Sequence, residues 1–491
     1  MNRQIRKLAI ALIVLYLALF VQLNVLQVGK KQALDSHPLN NRQTIRDFNR
    51  PRGPIVTADG VVVAQSVPAI SDSHYKFQRE YPLNDLFSNV TGYYTYSFGS
   101  TQLEKTKDAV LMGDTAAQKV NGVFGGSDNS GKVVLTMRAD LQKVAADALG
   151  QREGSIIVMD PHTGAILAMV SYPRYDANLV ATHDAKQAED VLNFLNNYPG
   201  KPLLANAYQE SYMPGSSFKI ITTGIAFENK VISMDRTFPV TTAWTPPQAT
   251  TPIHNYGGHA CGGTMNEVFF RSCNIPFAQI ATELGPDRMV AGTRAWGIGQ
   301  KLPIDLPGAA ASNFENANGQ PIDFAHNMPL LAIGGFGQAN DLMVPLQMCM
   351  VASTVADGGQ MMTPYVVDAT VDHSGKVLSR TQPSVWKTPI SQATAMTLTS
   401  MMIDVVNKGT GRPMQLANGI QAAAKTGTAQ LNATGPQRSH AWIVSFAPAT
   451  APKYAVAVVL KGTNAAISAG TGGLLAGPVA KQILDWLFAH P

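Results

Sequence analysis

At 491 residues and 45% apolar side chains, the chain is long enough to fold as two or three globular domains. Its net charge of +5 is slight for this length and gives no reason to expect a nucleic-acid partner. Three cysteines exclude a disulfide-built framework. No Cys/His cluster has zinc spacing and no glycine-rich phosphate loop follows a strand, so neither metal nor cofactor is expected.

The chain opens with Arg3, Arg6 and Lys7. It then runs apolar without a break from Leu8 to Val21, and mostly apolar to Val28. A helix over 8–28 just spans a bilayer. A cleaved signal peptide is the competing reading, but no small-residue cleavage site follows soon after the run, so an uncleaved signal-anchor is favoured. The basic start puts residues 1–7 in the cytoplasm, although Lys30 and Lys31 on the far side weaken that asymmetry. No second long apolar segment occurs, so the remainder is expected outside the cytoplasm as one exported body.

Residues 29–150 form the next block. Arg52-Gly53-Pro54-Ile55-Val56, a turn at Asp59-Gly60 and Val61-Val62-Val63-Ala64 read as two short strands around a tight turn. Tyr93 to Gly99 is rich in aromatics, Lys132 to Thr136 reads as a strand, and Asp140 to Leu149 has helical periodicity. No catalytic constellation appears here, and a non-catalytic stalk or docking domain is expected.

A second domain, 151–491, opens with apolar strands Ser155–Asp160 and Ala165–Val170. The turn between them is Pro161-His162-Thr163-Gly164, in which His162 reads as a turn residue. A helical stretch follows at Asp184–Asn197. From Val240 to Thr264 the chain reads as a long polar loop of the kind that borders a cleft. Later come a helical pattern through Phe277, Ile280 and Ala281 and an apolar helix from Pro345 to Val355, with Met348 and Met350 as core packing. Strands are expected at Ala422–Ala429, His440–Phe446 and Tyr454–Leu460, and a closing helix at Pro478–Phe488.

Chemistry concentrates at three places. In Met213-Pro214-Gly215-Ser216-Ser217-Phe218-Lys219 a Pro-Gly break precedes a helical pattern that puts Ser216 and Lys219 three residues apart on one face. A serine hydroxyl becomes a nucleophile when a neighbouring base takes its proton. Lysine is that base only if burial or a nearby cation lowers its pKa. Alone, Ser216 reads as an ordinary helix N-cap. Downstream, however, stand Ser272-Cys273-Asn274 and Lys425-Thr426-Gly427. Together, in this order, the three form the motif set shared by serine β-lactamases and penicillin-binding proteins.

With these motifs the chain resembles a class B penicillin-binding protein, a monofunctional D,D-transpeptidase of cell-wall synthesis, and the likeness runs over nearly all of it. Arg52-Gly53-Pro54-Ile55, Leu103-Glu104, Asp160-Pro161-His162-Thr163-Gly164, Tyr175-Asp176-Ala177-Asn178, Gly337-Gln338, Pro345-Leu346-Gln347, Gly409-Thr410-Gly411 and Ala441-Trp442 are similar to family signatures. Thr57-Ala58-Asp59 departs from the usual Asp-Arg-Asn, which is expected to change contacts to the second domain, and Ala424 stands where glycine is common. In detail the chain most resembles an actinobacterial, septum-associated branch of the family.

The resemblance implies an α+β fold: a five-stranded antiparallel sheet with flanking helices, beside an all-helical region. A smaller mixed N-terminal domain of pedestal or dimerisation type and a membrane anchor precede it. It implies a stem peptide ending in D-Ala-D-Ala as substrate, β-lactams as covalent inhibitors, the cytoplasmic membrane as location, and a membrane glycosyltransferase and other divisome proteins as partners. It also implies roles. Ser216 is the nucleophile, Lys219 the base, and Ser272 the proton relay to the departing amine, held by Asn274, which also binds a substrate amide. Lys425 supplies positive charge, and Thr426 and Thr428 bind the terminal carboxylate. Gly427 lets substrate lie along the strand edge, and the backbone N–H groups of Ser216 and Thr428 form the oxyanion hole. A D,D-carboxypeptidase, a β-lactamase and a silent β-lactam-binding scaffold or sensor are the alternatives. β-Lactamases are soluble and much shorter, and residues 29–150 are too few for a glycosyltransferase domain.

The cysteines leave room for one bridge. Cys261 and Cys273 stand close in sequence in an exported domain, where a bridge would tether the 240–264 loop to the edge of the site. Two buried free thiols are the competing reading, and Cys349 is expected as a core thiol.

Overall fold

The computed structural model describes residues 2–29, 42–69, 75–119, 129–432 and 438–491. At its centre lies a five-stranded sheet in the order Ala423–Gln430, Ser439–Ala447, Tyr454–Leu460, Gly154–Met159, Ile166–Tyr172, with every neighbouring pair antiparallel. Successive strand residues face opposite sides. Ile157, Met159, Val444, Phe446, Ala455 and Ala457 therefore join one core. Ile156, Val158, Ala441, Ile443, Val456 and Val458 join another. Both faces are covered, which explains why these strands read as continuous apolar runs instead of alternating ones. On the first face lies the helix Pro345–Ala356, buried from Pro345 through Val355, with Met348 and Met350 fully enclosed. On the second lie Ala139–Leu149 and Gly477–Ala489, which insert Leu141, Ala145, Leu149, Ile483 and Leu487. The fold is α+β, as the family resemblance implies.

The first block does not close on itself. Its six-stranded sheet runs in the order Val377–Arg380, Val367–Val371, Lys132–Leu135, Ile55–Val56, Val62–Pro68, Phe77–Glu80. Two of its strands thus come from beyond residue 151. Conversely, the helix Ala139–Leu149, from the first block, packs on the five-stranded sheet. A single boundary at 150/151 is crossed in both directions, because strand pairing follows complementary edges and not chain order. Asp59, one of the departures from the family pattern, accepts hydrogen bonds from the backbone N–H of Ala139 at 3.0 and 3.2 Å and so ties the two sheets together.

Inside the first block Glu104 is fully buried between two guanidinium groups, with Arg52 Nε at 2.6 Å and Arg79 Nε at 2.7 Å. Burial alone would raise its pKa, but Arg79 and Arg52 outweigh that and hold the carboxyl below its ordinary range. A buried charge needs this pairing to be tolerated at all.

The apolar run at the start forms a helix, Asn2–Asn24, continued by a π-helical turn, Val25–Gly29. Among the described residues it is the one helix long and apolar enough to cross a membrane, and its apolar window is wholly unburied by the rest of the chain.

The stretch 240–264, expected as a polar loop, contains two short antiparallel ladders. Cys261–Thr264 pairs with Thr237–Thr241, and Ala243–Trp244 pairs with Ile253–His254. These strands are only two to five residues long and their residues do not alternate in polarity, so no local pattern marks them. Cys261 and Cys273 are joined, their Cα atoms 5.7 Å apart, and Cys349 is a buried free thiol. Closing a loop of this size stabilises by about 3 kcal/mol in the chain-entropy model. Denatured, unreduced protein is expected to show a single reactive thiol. Three reactive thiols in that assay would refute the bridge.

Candidate active site

Four chain segments meet beside the exposed edge of the five-stranded sheet. The first is the turn before the helix Lys219–Glu228. Gly215 has φ +55° and a Cβ there would lie 2.7 Å from the carbonyl of Thr428, so only glycine lets the turn approach the strand. Gly215 N–H is held by Gly337 O at 2.8 Å. Gly215–Phe218 is a 3₁₀ turn, not the first turn of the α-helix that the sequence suggests. Ser216 is partly exposed in it. Ser217 is buried and donates its hydroxyl to Pro214 O at 2.8 Å.

Lys219 is fully buried. Its Nζ lies 2.8 Å from Ser272 O, 2.9 Å from Asn274 Oδ1 and 3.4 Å from Ser272 Oγ. Burial first, and the Lys425 charge second, push its pKa well below the ordinary lysine value. A neutral amine has two N–H donors and one lone pair. Ser272 O and Asn274 Oδ1 can only accept, so they take the two donors of the neutral form, and the hydroxyl nearest its lone pair among the described contacts is that of Ser272 at 3.4 Å. Ser216 Oγ makes no hydrogen bond among the described residues, so its hydroxyl is uncommitted.

The second segment, Ser272-Cys273-Asn274, links the helices Met265–Phe270 and Ile275–Ala295. Ser272 adopts φ +62°, a conformation uncommon outside glycine, and hydrogen bonds from Ser272 N to Phe269 O and from Cys273 N to Val268 O hold it there. The strained turn points Ser272 Oγ at Lys425 Nζ, 2.8 Å away. Asn274, expected to hold Ser272, instead accepts from Lys219, and its Nδ2 reaches His254 O at 3.4 Å. Asn255, which sequence reading passed over, is the positioning residue. Its Oδ1 accepts from the N–H groups of Asn274 and Ile275 at 2.9 and 3.1 Å, and its Nδ2 donates to Thr241 O at 3.0 Å. An Asn before a Tyr-Gly-Gly turn carries no signal that could have marked it.

The third segment is the edge strand Ala423–Gln430. Lys425 is fully buried and burial lowers its pKa to about 7. Thr426 Oγ1 shares a hydrogen bond with Thr410 Oγ1 at 2.6 Å, and Thr428 Oγ1 accepts from Gly472 N–H at 3.2 Å, leaving its own proton free to donate. Gly427 has a structural reason of its own beside the expectation stated for it. A Cβ there would meet Pro214 O at 2.5 Å and Ser217 N at 3.1 Å. Glycine is required here because the nucleophile turn's backbone lies against the strand. The fourth segment, around Gly472, closes the far wall.

Ser216, Ser272, Asn274, Thr426 and Thr428 line one cleft enclosing about 140 Å³, together with Gln338 and Thr410, which stand in family signatures without an expected role, and Thr471, which sequence reading did not single out. Tyr256 and Arg271 also line it. The structure therefore brings Ser216, Lys219, Ser272, Asn274, Lys425, Thr426 and Thr428 to one place, and gives Gly427 a structural task beside it.

This arrangement suits acyl transfer by a serine whose base must be neutral while a second lysine stays charged. The two requirements have opposite pH dependence. Acylation by a β-lactam should rise with pH as Lys219 loses its proton through its depressed pKa, and fall above about 7 as Lys425 loses its own. The profile of the second-order rate constant for penicillin acylation checks this. In Lys425→Arg, whose cation does not titrate, the alkaline limb should vanish.

Comparison with known proteins points the same way. Residues 154–485 match the penicillin-binding protein transpeptidase domain, and residues 52–134 match the penicillin-binding protein A dimerisation domain. The peptidoglycan D,D-transpeptidase PbpA of Mycolicibacterium smegmatis is 35% identical, over 99% of this chain and 98% of its own. Its namesake in Mycobacterium tuberculosis is 32% identical over 99% of each. The structure of penicillin-binding protein A from M. tuberculosis as a ceftriaxone acyl-enzyme superposes with a TM-score of 0.82 at 30% identity, covering 90% of this chain and 99% of that one. With its three motifs in one cleft and its full length aligned to these relatives, the chain belongs to the class B penicillin-binding protein transpeptidases.

Proposed function

We propose that this chain is a membrane-anchored peptidoglycan D,D-transpeptidase that cross-links stem peptides through an acyl-enzyme on Ser216. The observation that carries the proposal is the setting of Lys219 beside the Ser216 turn: buried, depressed in pKa, and held through Nζ by Ser272 O, Asn274 Oδ1 and Ser272 Oγ.

Ser216 Oγ attacks the carbonyl of the penultimate D-Ala while Lys219 takes its proton. The developing oxyanion is met by the N–H groups of Ser216 and Thr428, where turn and strand backbones touch. The proton passes through Ser272 Oγ, within reach of both lysines, to the departing D-Ala amine. Lys425, Thr426 and Thr428 hold the leaving group's carboxylate, and an amine from a second stem resolves the acyl-enzyme. A β-lactam enters the same path and stays acylated, as the M. tuberculosis relative does with ceftriaxone.

We further assign the helix Asn2–Asn24 as the anchor, with Arg3, Arg6 and Lys7 on the cytoplasmic side and the body outside. The first block, 29–150, is then a non-catalytic pedestal carrying the catalytic body, 151–491. Work at the division septum beside a membrane glycosyltransferase follows from likeness to the actinobacterial relatives.

The test is turnover. Full-length protein in detergent, given lipid-linked glycan bearing D-Ala-D-Ala stems, should release D-Ala and form cross-linked muropeptide dimers, seen by mass spectrometry and blocked by penicillin. Release of D-Ala without dimers would make it a carboxypeptidase. Acylation by penicillin with neither product would make it a sensor.

A further inference from the structure

Three consecutive residues carry the nucleophile turn against the five-stranded sheet. Pro214 O lies over Gly427 and Gly215 lies over Thr428 O, so close that a Cβ on either glycine would sit 2.5 or 2.7 Å from the facing oxygen. Contacts of this kind limit how near the turn can come and attract it only weakly. Met213 supplies the tie. Its carbonyl accepts a hydrogen bond from the indole Nε1 of Trp442, on the second strand of the sheet, at 2.9 Å. Among the described residues this is the one hydrogen bond that joins the turn to the sheet. The bond from Gly215 N–H to Gly337 O runs instead to the loop after the helix Met328–Gly334.

Met213 precedes Pro214, which has no N–H, so the Met213 carbonyl is the one polar group on that peptide unit. The bond from Trp442 therefore fixes how the peptide plane is turned. Trp442 is fully buried and its ring belongs to the first core, so the donor itself stands in a fixed place. In the strand register Trp442 is paired with Gly427, and Ala441 with Thr428. The donor thus sits one strand behind the point where the turn crosses the edge strand. Ser216 and Lys219 follow one another through a continuous helical segment, 215–228, so their mutual placement is local. What the Trp442 bond sets is the distance between that segment and Thr428.

We propose that Trp442 is a positioning residue for acylation: through Met213 O it draws the nucleophile turn onto the edge strand, so that the N–H groups of Ser216 and Thr428 converge on one oxygen. This rests on the acyl-enzyme reading, with those two N–H groups as the oxyanion hole. Such a hole works only while both donors stand at hydrogen-bond distance from the developing charge. Trp442 does not line the cleft, so it acts through the turn and not on the substrate. Without its N–H the Met213–Pro214 peptide is free to rotate. The turn then drifts from the strand and the hole widens, while Lys219 stays beside Ser216.

The experiment replaces Trp442 by 3-benzothienylalanine, which puts sulfur where the N–H was and keeps the shape of the ring, in the full chain in detergent. Two quantities are read with benzylpenicillin carrying carbon-13 at the β-lactam carbonyl. The first-order acylation constant should fall about ten- to hundredfold, the scale for a small misplacement of reacting groups, while the dissociation constant of the preceding complex stays within about twofold of wild type. The infrared band of the ester carbonyl in the acyl-enzyme should move to higher frequency, because hydrogen bonds from the hole weaken the C=O bond and their loss restores it. A residue that only stabilised the fold would lower the melting temperature and leave that band in place. Trp442→Phe, which also lacks the N–H but leaves space in the core, is the second variant and should move the band the same way. Acylation within about threefold of wild type, or an unmoved carbonyl band in both variants, overturns the assignment. A wild-type protein that forms no adduct with benzylpenicillin would instead remove the acyl-enzyme reading, and this one with it.

Discussion

Ser216→Ala should abolish covalent labelling by a fluorescent penicillin and leave the fold intact. No other hydroxyl can take its place. Ser217, its neighbour, lies about 120° further round the 3₁₀ turn. It is buried, with its proton given to Pro214 O. Ser272 Oγ is held by Lys425 Nζ at 2.8 Å and lies 3.4 Å from Lys219 Nζ, committed between the two amines. Ser217→Ala is the control, and its expected phenotype is opposite in kind. It loses about 1 kcal/mol of stability with the buried hydrogen bond but keeps labelling. Intact-mass spectrometry reads the adduct and a thermal melt reads the fold. Labelling that survives in Ser216→Ala and dies in Ser217→Ala would overturn the choice of nucleophile.

Lys219→Arg should cost about 10²–10⁴ in acylation rate, the range for removing a general base. The substitution keeps a cation at the position, so a purely electrostatic role for Lys219 predicts little loss. Arginine, however, does not give up its proton in a protein and has no lone pair to offer Ser216. Lys425→Arg should do far less harm, since Lys425 contributes by being charged. The contrast between the two variants separates base from cation. Arginine is larger than the buried site allows without adjustment, so Lys219→Met, of similar girth and apolar, is the companion variant with the same expected loss. Stopped-flow acylation by a chromogenic β-lactam measures all three. A Lys219→Arg or Lys219→Met protein acylating within tenfold of wild type would leave Ser216 without its proposed base.

What was legible in the sequence is what chemistry imposes locally. Ser216 and Lys219 must lie a turn apart, Ser272 and Asn274 must flank one residue, and Lys425 must stand in a strand ending in small residues. These requirements are written in four residues or fewer, so their order along the chain identified the reaction class. The apolar runs of four of the five strands were legible for a similar reason, since a strand buried on both faces needs no partner to declare itself.

Tertiary structure decided the rest, because it depends on which distant segments touch. Gly427 is glycine on account of Pro214, and Asn274 turns to Lys219 because Asn255 caps its backbone. Val367–Arg380 leaves the catalytic block to complete the other sheet because an edge strand was open there. The depressed pKa of Lys219 is the plainest case. The motif supplied the amine, but only enclosure by Ser272, Asn274 and Lys425, contributed from far along the chain, removes the water that would otherwise stabilise its charge.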